Sequence, residues 1–191
     1  ILVCGEFKRG KSSFINAFLN EDICPTDDGI ATSVVSIIKY GPKRKVTRFY
    51  NTPSSKDLQQ EEISFESIEK YTKGSSLEID NTMMLVIEVP SSKLENGLTL
   101  IDTPGVGGLD SRHLYLTLYV LPKADIVFFM IDAGEPLSST ELDFYKEKIV
   151  KYSKKNIVVF NKADLKTKEE VNQLIEDAKN KISEHCEIEA P

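Results

Sequence analysis

Short apolar runs recur along this chain, each closed by small or polar residues, with amphipathic stretches between them. Residues 1–4 (Ile-Leu-Val-Cys), 34–40, 83–89, 98–101, 125–131 and 157–160 read as strands. Ile157-Val158-Val159-Phe160 has no polar position and is expected to be a parallel strand buried on both faces. Residues 46–50 read as a strand antiparallel to 34–40. Helical patterns cover 11–20, 138–152 and 168–184. In the last of these, Val171, Leu174, Ile175, Ala178 and Ile182 form a core-facing stripe. Ser138-Ser139-Thr140-Glu141 supplies capping residues and an early acidic charge for the second helix. Residues 51–81 are polar and rich in Ser, Lys and Glu, helical only around 64–71, and read as a peripheral insert without chemistry. Alternation of strand and helix predicts an α/β fold: a mostly parallel central sheet, helices on both faces, and a polar insert.

The most specific pattern comes directly after the first strand. Gly5-Glu6-Phe7-Lys8-Arg9-Gly10-Lys11-Ser12 fits G-x-x-x-x-G-K-[ST]. Its glycines allow a tight loop whose backbone N–H groups turn inward onto a polyphosphate. Lys11 then reaches the β/γ oxygens and the Ser12 hydroxyl ligates Mg²⁺. Ser12 and Ser13 open a helix, whose N-terminus attracts phosphate. An ordinary Gly-containing turn is the alternative, and the strand before and helix after the motif argue against it. The implied ligand is a nucleotide.

Two later motifs say which one. Asn161-Lys162-Ala163-Asp164 ends the run 157–160. A carboxylate only accepts, so Asp164 can take both the N1–H and the N2–H₂ of guanine, a donor pair that adenine lacks. Lys162 would lie along base and ribose, and Asn161 would tie this loop to the phosphate loop. Alone these are common turn residues; after a strand and behind a phosphate loop they point to guanine. Asp102-Thr103-Pro104-Gly105 ends the run 98–101. Asp102 can hold Mg²⁺ through a water as partner to Ser12. The Gly105 N–H can face a γ-phosphate, and Gly107-Gly108 loosen the next segment of chain. Standing alone, D-x-P-G would be a plain β-turn.

In series these motifs resemble those of P-loop GTPases, and their wording resembles bacterial dynamin-like proteins of the dynamin family of large GTPases. The resemblance lies in residues 5–17, in Cys24-Pro25-Thr26 with Gly29-Ile30-Ala31-Thr32-Ser33-Val34-Val35 as first switch, and in 102–109 with Leu121-Pro122-Lys123-Ala124-Asp125 as second switch and subsequent strand. It extends over residues 2–184. It implies a P-loop GTPase fold, GTP/GDP and Mg²⁺ as cofactors, and Thr32 as the switch threonine that ligates Mg²⁺ and orients the attacking water. From the residues alone Thr32 equally ends a turn. The resemblance also implies a nucleotide-dependent homodimer, membrane remodelling by the full-length protein, and a cytoplasmic protein peripheral at membranes. Membrane contact would run only through regions outside this chain. An RNA-linked assembly GTPase, or a GTP-sensing recruitment module with negligible hydrolysis, would share the motifs.

Two departures bear on mechanism. Val106 stands where Ras-like GTPases carry a water-positioning Gln. Lys8-Arg9 occupies the loop where dynamins place a polar residue and a monovalent cation, and where guanylate-binding proteins place a catalytic Arg matching Lys8. Lys8 could neutralise the β–γ bridging oxygen, joining Lys11 and Thr32 as a catalytic residue, with Arg9 among the ligand-binding residues. Alternatively Lys8 and Arg9 form a solvated pair.

Composition narrows the partners. A chain of 191 residues with 40% hydrophobic and 28% charged side chains fits one core. Its net charge of −6 argues against clamping nucleic acid and against direct docking on anionic lipid. Cys4, Cys24 and Cys186 lack metal spacing and read as reduced structural thiols in a cytoplasmic setting. No run approaches the ~18 apolar residues of a membrane helix. Asp27 and Asp28 shape the first switch, and Asp132-Ala133-Gly134 is a turn. Because a further strand and a base-closing loop would be expected after residue 191, residues 1–191 read as a GTPase domain truncated at both ends, with the insert at about 51–81. If Asp164 reads the base, Asp164→Asn shifts preference from GTP to xanthosine triphosphate in competition binding; a variant that still chooses GTP overturns the assignment.

Overall fold

The computed structural model of the protein describes residues 1–26, 33–53, 55–72, 77–106 and 111–186. In chain order the elements are β1 (Leu2–Cys4), α1 (Lys11–Leu19), β2 (Val35–Tyr40), β3 (Lys45–Thr52), β4 (Ser55–Ile63), α2 (Ile68–Thr72), α3 (Leu77–Asn81), β5 (Thr82–Val89), β6 (Leu100–Asp102), α4 (Ser111–Val120), β7 (Val127–Asp132), α5 (Ser139–Phe144), β8 (Asn156–Asn161) and α6 (Lys168–Cys186). A π-helical stretch, Tyr145–Val150, continues α5. The strands form one sheet in the order β4-β3-β5-β2-β6-β1-β7-β8. Among the described residues four ladders are parallel and three antiparallel, and the parallel ones include every pairing of β1 and β7.

Period-two alternation splits the sheet between two cores. Leu2 and Cys4 of β1 join Val127, Phe129 and Ile131 of β7 in a cluster covered by α4, α5 and α6. Val3 and Met130, one residue out of step, join Ile15 and Leu19 of α1 on the opposite face. With helices over both faces, neither strand can carry a polar side, hence their unbroken apolar runs. On α6 the expected stripe is graded: Ala178 and Ile182 are buried, whereas Val171, Leu174 and Ile175 are half-buried.

Three expectations are corrected. β8 is parallel to β7 but lies at the sheet edge, with Ile157 45% exposed. It is not a strand buried on both faces; a short apolar run is compatible with either position, and only pairing decides. Nor is β3 the neighbour of β2. β5 inserts between them, parallel to β2 and antiparallel to β3. Residues 51–81, finally, are more than a peripheral insert, for β4 lies there and forms the other sheet edge on β3. None of its described residues is fully buried. A strand exposed on one face, half-buried on the other and studded with charge resists pairing with another chain, and by composition it looks like a loop.

Arg48 anchors this edge. Its Nε donates to Thr82 Oγ1 (2.8 Å) and its Nη1 to Glu61 Oε1 (2.7 Å), while the guanidinium sits 4.3 and 4.5 Å from the Tyr50 and Tyr71 ring centroids. Arg48→Ala is expected to cost about 2–3 kcal/mol in urea unfolding. Lys45→Ala, which removes an exposed 3.5 Å pair with Glu62, should cost about 0.5 kcal/mol or less. Equal losses would show that Arg48 does not anchor the edge.

Candidate functional site

Parallel pairing brings the C-terminal ends of β1, β6, β7 and β8 to one side of the sheet. Val3 lies in register with Asp102 and with Phe128, and Asp132 with Asn161. The loops after these strands therefore emerge side by side, in the crevice where open α/β sheets bind ligands.

Gly10 caps α1 with φ 78° and no side-chain bond. A Cβ at this position would lie 2.1 Å from Asn161 Nδ2. That amide donates to the Arg9 carbonyl at 2.9 Å, tying the motif after β8 to the loop after β1. The first turn of α1 holds no acidic residue, which leaves the positive end of the helix free of a carboxylate from its own turn. Lys11 is buried, its Nζ donating to the carbonyls of Gly5 (3.1 Å) and Glu6 (2.8 Å). Burial pushes its ammonium below the usual lysine range, against the pull of Asp102.

Ser12 Oγ donates to Asp102 Oδ2 at 2.6 Å. The other carboxylate oxygen, Oδ1, is buried without a hydrogen-bond partner. Burial pushes this carboxyl up, and the Ser12 hydroxyl and Lys11 ammonium oppose it. An orphaned acceptor beside a serine hydroxyl costs free energy unless something meets it. Mg²⁺ fits: it prefers hard oxygens, keeps several waters, and commonly takes only one or two protein ligands beside substrate phosphates. No cluster of three or more His, Cys, Asp or Glu that could hold a metal occurs among the described residues, and a site completed by phosphate does not need one. Thr32, the remaining expected Mg²⁺ ligand, lies outside the described residues, as do Asp27, Asp28, Gly107 and Gly108.

The segment after β6 is pressed onto the phosphate loop. Thr103 Oγ1 donates to the Val3 carbonyl at 2.9 Å, and the Val106 N–H donates to the Gly5 carbonyl at 3.2 Å. A Cβ on Gly105 would lie 2.8 Å from the Phe7 backbone nitrogen, so only glycine fits without displacement.

Lys8 is exposed in a left-handed conformation (φ 63°), its Nζ 5.5 Å from the Phe7 ring centroid. Arg9 is not its solvated twin. Only 8% exposed, it donates from Nε to Glu141 Oε1 (2.8 Å) and from Nη2 to Glu6 Oε2 (3.1 Å), with Glu135 3.6 Å from Nη1. Lys162 Nζ donates to Asp132 Oδ2 at 2.6 Å, and the same side chain accepts the Gly134 N–H at 2.8 Å. Asp132 thus closes a turn, as expected, and also orients the base-motif lysine. That second role becomes visible only once β7 and β8 are paired. Asp164 is exposed, in the single turn Ala163–Leu165 beyond Lys162. Ser13 is exposed on α1 and borders a groove of about 400 Å³ with Asn16, Asn20, Glu21 and Thr26; Asn161, Lys162 and Asp164 do not line it. Cys4, Cys24 and Cys186 are buried and free. Burial pushes the Cys4 thiol up to about 12, which makes it unreactive.

Comparison with known proteins agrees with this arrangement. The sequence profile of the Dynamin family matches residues 1–163. The chain is 29% identical over 184 residues to an uncharacterised protein from the xynA 3′ region of Caldicellulosiruptor sp., covering 96% of this chain and 45% of that protein. It is 29% identical over 151 residues to a bacterial dynamin-like protein of Nostoc punctiforme, covering 74% and 21%. The fold matches a chain of an oligomerised bacterial dynamin pair with a TM-score of 0.78 at 18% identity, covering 96% and 30%. The chain thus spans less than half the length of the relatives it matches. With a profile match running from the first strand through the base motif, the chain belongs to the dynamin family, as a GTPase domain.

Proposed function

We propose that this domain binds Mg·GTP and hydrolyses it, as the nucleotide-driven part of a longer protein that remodels membranes. The observation that carries the reading is the Ser12–Asp102 pair, whose buried Oδ1 has no hydrogen-bond partner, next in sequence to the buried Lys11. In this reading the amides of the loop from Gly5 to Ser13 cradle the phosphates, and Lys11 exchanges the carbonyls of Gly5 and Glu6 for β/γ oxygens. The Gly105 N–H faces the γ-phosphate. Asn161, Lys162 and Asp164 hold guanine, Lys162 steadied by Asp132. Ser12, Asp102 and Thr32 are the residues that would hold Mg²⁺, and the ion would supply positive charge to the phosphate oxygens.

Thr32 orients the attacking water, since the Val106 side chain has no polar group to do so. Lys8, exposed on the loop, brings positive charge to the β–γ bridging oxygen in cis when a second copy closes over the site. The dynamin pair that this fold matches senses and tethers membranes over long range, which supports a membrane role here. No described helix is long and apolar enough to cross a bilayer. The net charge of −6 argues against nucleic acid as a partner.

Ser12→Ala is expected to weaken Mg²⁺-dependent GTP binding by about 1.5–3 kcal/mol, roughly tenfold to a hundredfold, in titrations with and without Mg²⁺. Equal affinity of variant and parent in Mg²⁺ would remove Ser12 from the metal site. Lys8→Ala should leave GTP affinity unchanged and lower single-turnover phosphate release by about 10³ at high protein concentration; an unaltered rate sinks its catalytic role.

A further inference from the structure

We infer that Arg9 is a positioning residue: through Glu141 it latches the phosphate loop to the start of α5 and does not itself touch the phosphates. The inference rests on the proposed nucleotide binding and concerns how the loop keeps its shape.

Arg9 and Glu141 form a buried ion pair, 8% and 0% exposed, at 2.8 Å. The same carboxylate completes the capping box of α5: Glu141 Oε2 accepts the Ser138 N–H at 2.9 Å, and the Glu141 N–H donates to Ser138 Oγ at 3.2 Å. One side chain therefore closes a helix end and grips the loop. Glu6 adds a second strand to the latch, accepting from Arg9 at Oε2 and from Ser138 and Thr140 hydroxyls at Oε1. Leu137, just before the cap, adopts φ 56° although it is a bulky residue, and its burial in the core holds it there.

Residue 9 is thus clasped twice, its guanidinium by Glu141 and Glu6 and its carbonyl by Asn161 at 2.9 Å. Nε and Nη2 of the guanidinium donate to Glu141 and Glu6, and Nη1 lies 3.6 Å from the exposed Glu135, so two arms of the fork are engaged in the latch. A lysine could keep the charge but not the fork. Without Arg9, two carboxylates would stand unpaired beside the phosphate site, where each repels the ligand.

The test compares Arg9→Lys and the double variant R9M/E141M with the unsubstituted protein. The double variant removes both charges of the buried pair, a replacement buried pairs tolerate. Glu6 keeps its Ser138 and Thr140 hydroxyl donors, and the cap of α5 keeps the Ser138 Oγ bond to the N–H of residue 141. Amide hydrogen exchange over residues 5–11, measured without nucleotide, reads the loop directly. It should rise about tenfold or more in both variants while β1, β6 and β7 stay protected. GDP and a non-hydrolysable GTP analogue should then lose affinity by the same factor, about tenfold, with kcat at saturating GTP within about twofold. Unchanged loop exchange overturns the latch. A much larger loss for the GTP analogue than for GDP, with kcat collapsing, also overturns it, by placing Arg9 on the γ-phosphate. If the unsubstituted protein binds no GDP, the proposed function fails, and the exchange measurement alone still decides the latch.

Discussion

The fully buried strand Leu2–Cys4 pairs in parallel with β6 on one side and β7 on the other, and that double pairing dictates where the loops that follow these strands emerge. Parallel strands must end on the same side of the sheet. The loops after β1, β6, β7 and, through β7, β8 are therefore neighbours however far apart they lie in sequence. Without this pairing Ser12 and Asp102 would not meet, and Asn161 would have no carbonyl of Arg9 to hold. Burial on both faces keeps β1 in place: its side chains divide between two cores, each under its own helices.

Around that strand end the protein holds polar groups in a low-dielectric setting and leaves selected ones open. Asp102 spends one oxygen on Ser12 and leaves the other bare. Lys11 rests on two backbone carbonyls, partners weaker than a phosphate would be. Arg9, by contrast, donates to two carboxylates, one of them fully buried. The contrast sorts the cations of the loop by role. A cation held by neutral carbonyls is available to an anionic ligand, whereas one paired with buried carboxylates is structural, because separating that pair leaves a buried charge uncompensated.

The loops are also tied to one another. The Val106 N–H meets the Gly5 carbonyl, Asn161 meets Arg9, Lys162 meets Asp132, and Arg9 meets Glu141. Each tie joins segments from different strand ends. A displacement of the start of α5 or of the segment after β6 therefore acts on the phosphate loop, which is the physical requirement for a nucleotide state to be read elsewhere in a protein.

What the residues alone made legible are the motifs that lie in contiguous stretches: the glycines and Lys11 of the loop after the first strand, Asp102 at a strand end, the order Asn161-Lys162-Ala163-Asp164 after the last strand, and the capping box from Ser138 to Glu141. Each depends on local backbone geometry and hydrogen bonding, which neighbouring residues impose on one another. Tertiary structure decided the rest. Composition could not separate an edge strand from a buried one at 157–160, nor tell a charged edge strand from a loop at 55–63. It could not place β5 between β2 and β3. Glu141 was legible as a cap but not as the partner of Arg9, 132 residues away. Asp132 was legible as a turn but not as the support of Lys162. Such pairings depend on which strands lie side by side, and that is settled by the packing of the whole sheet between its two cores.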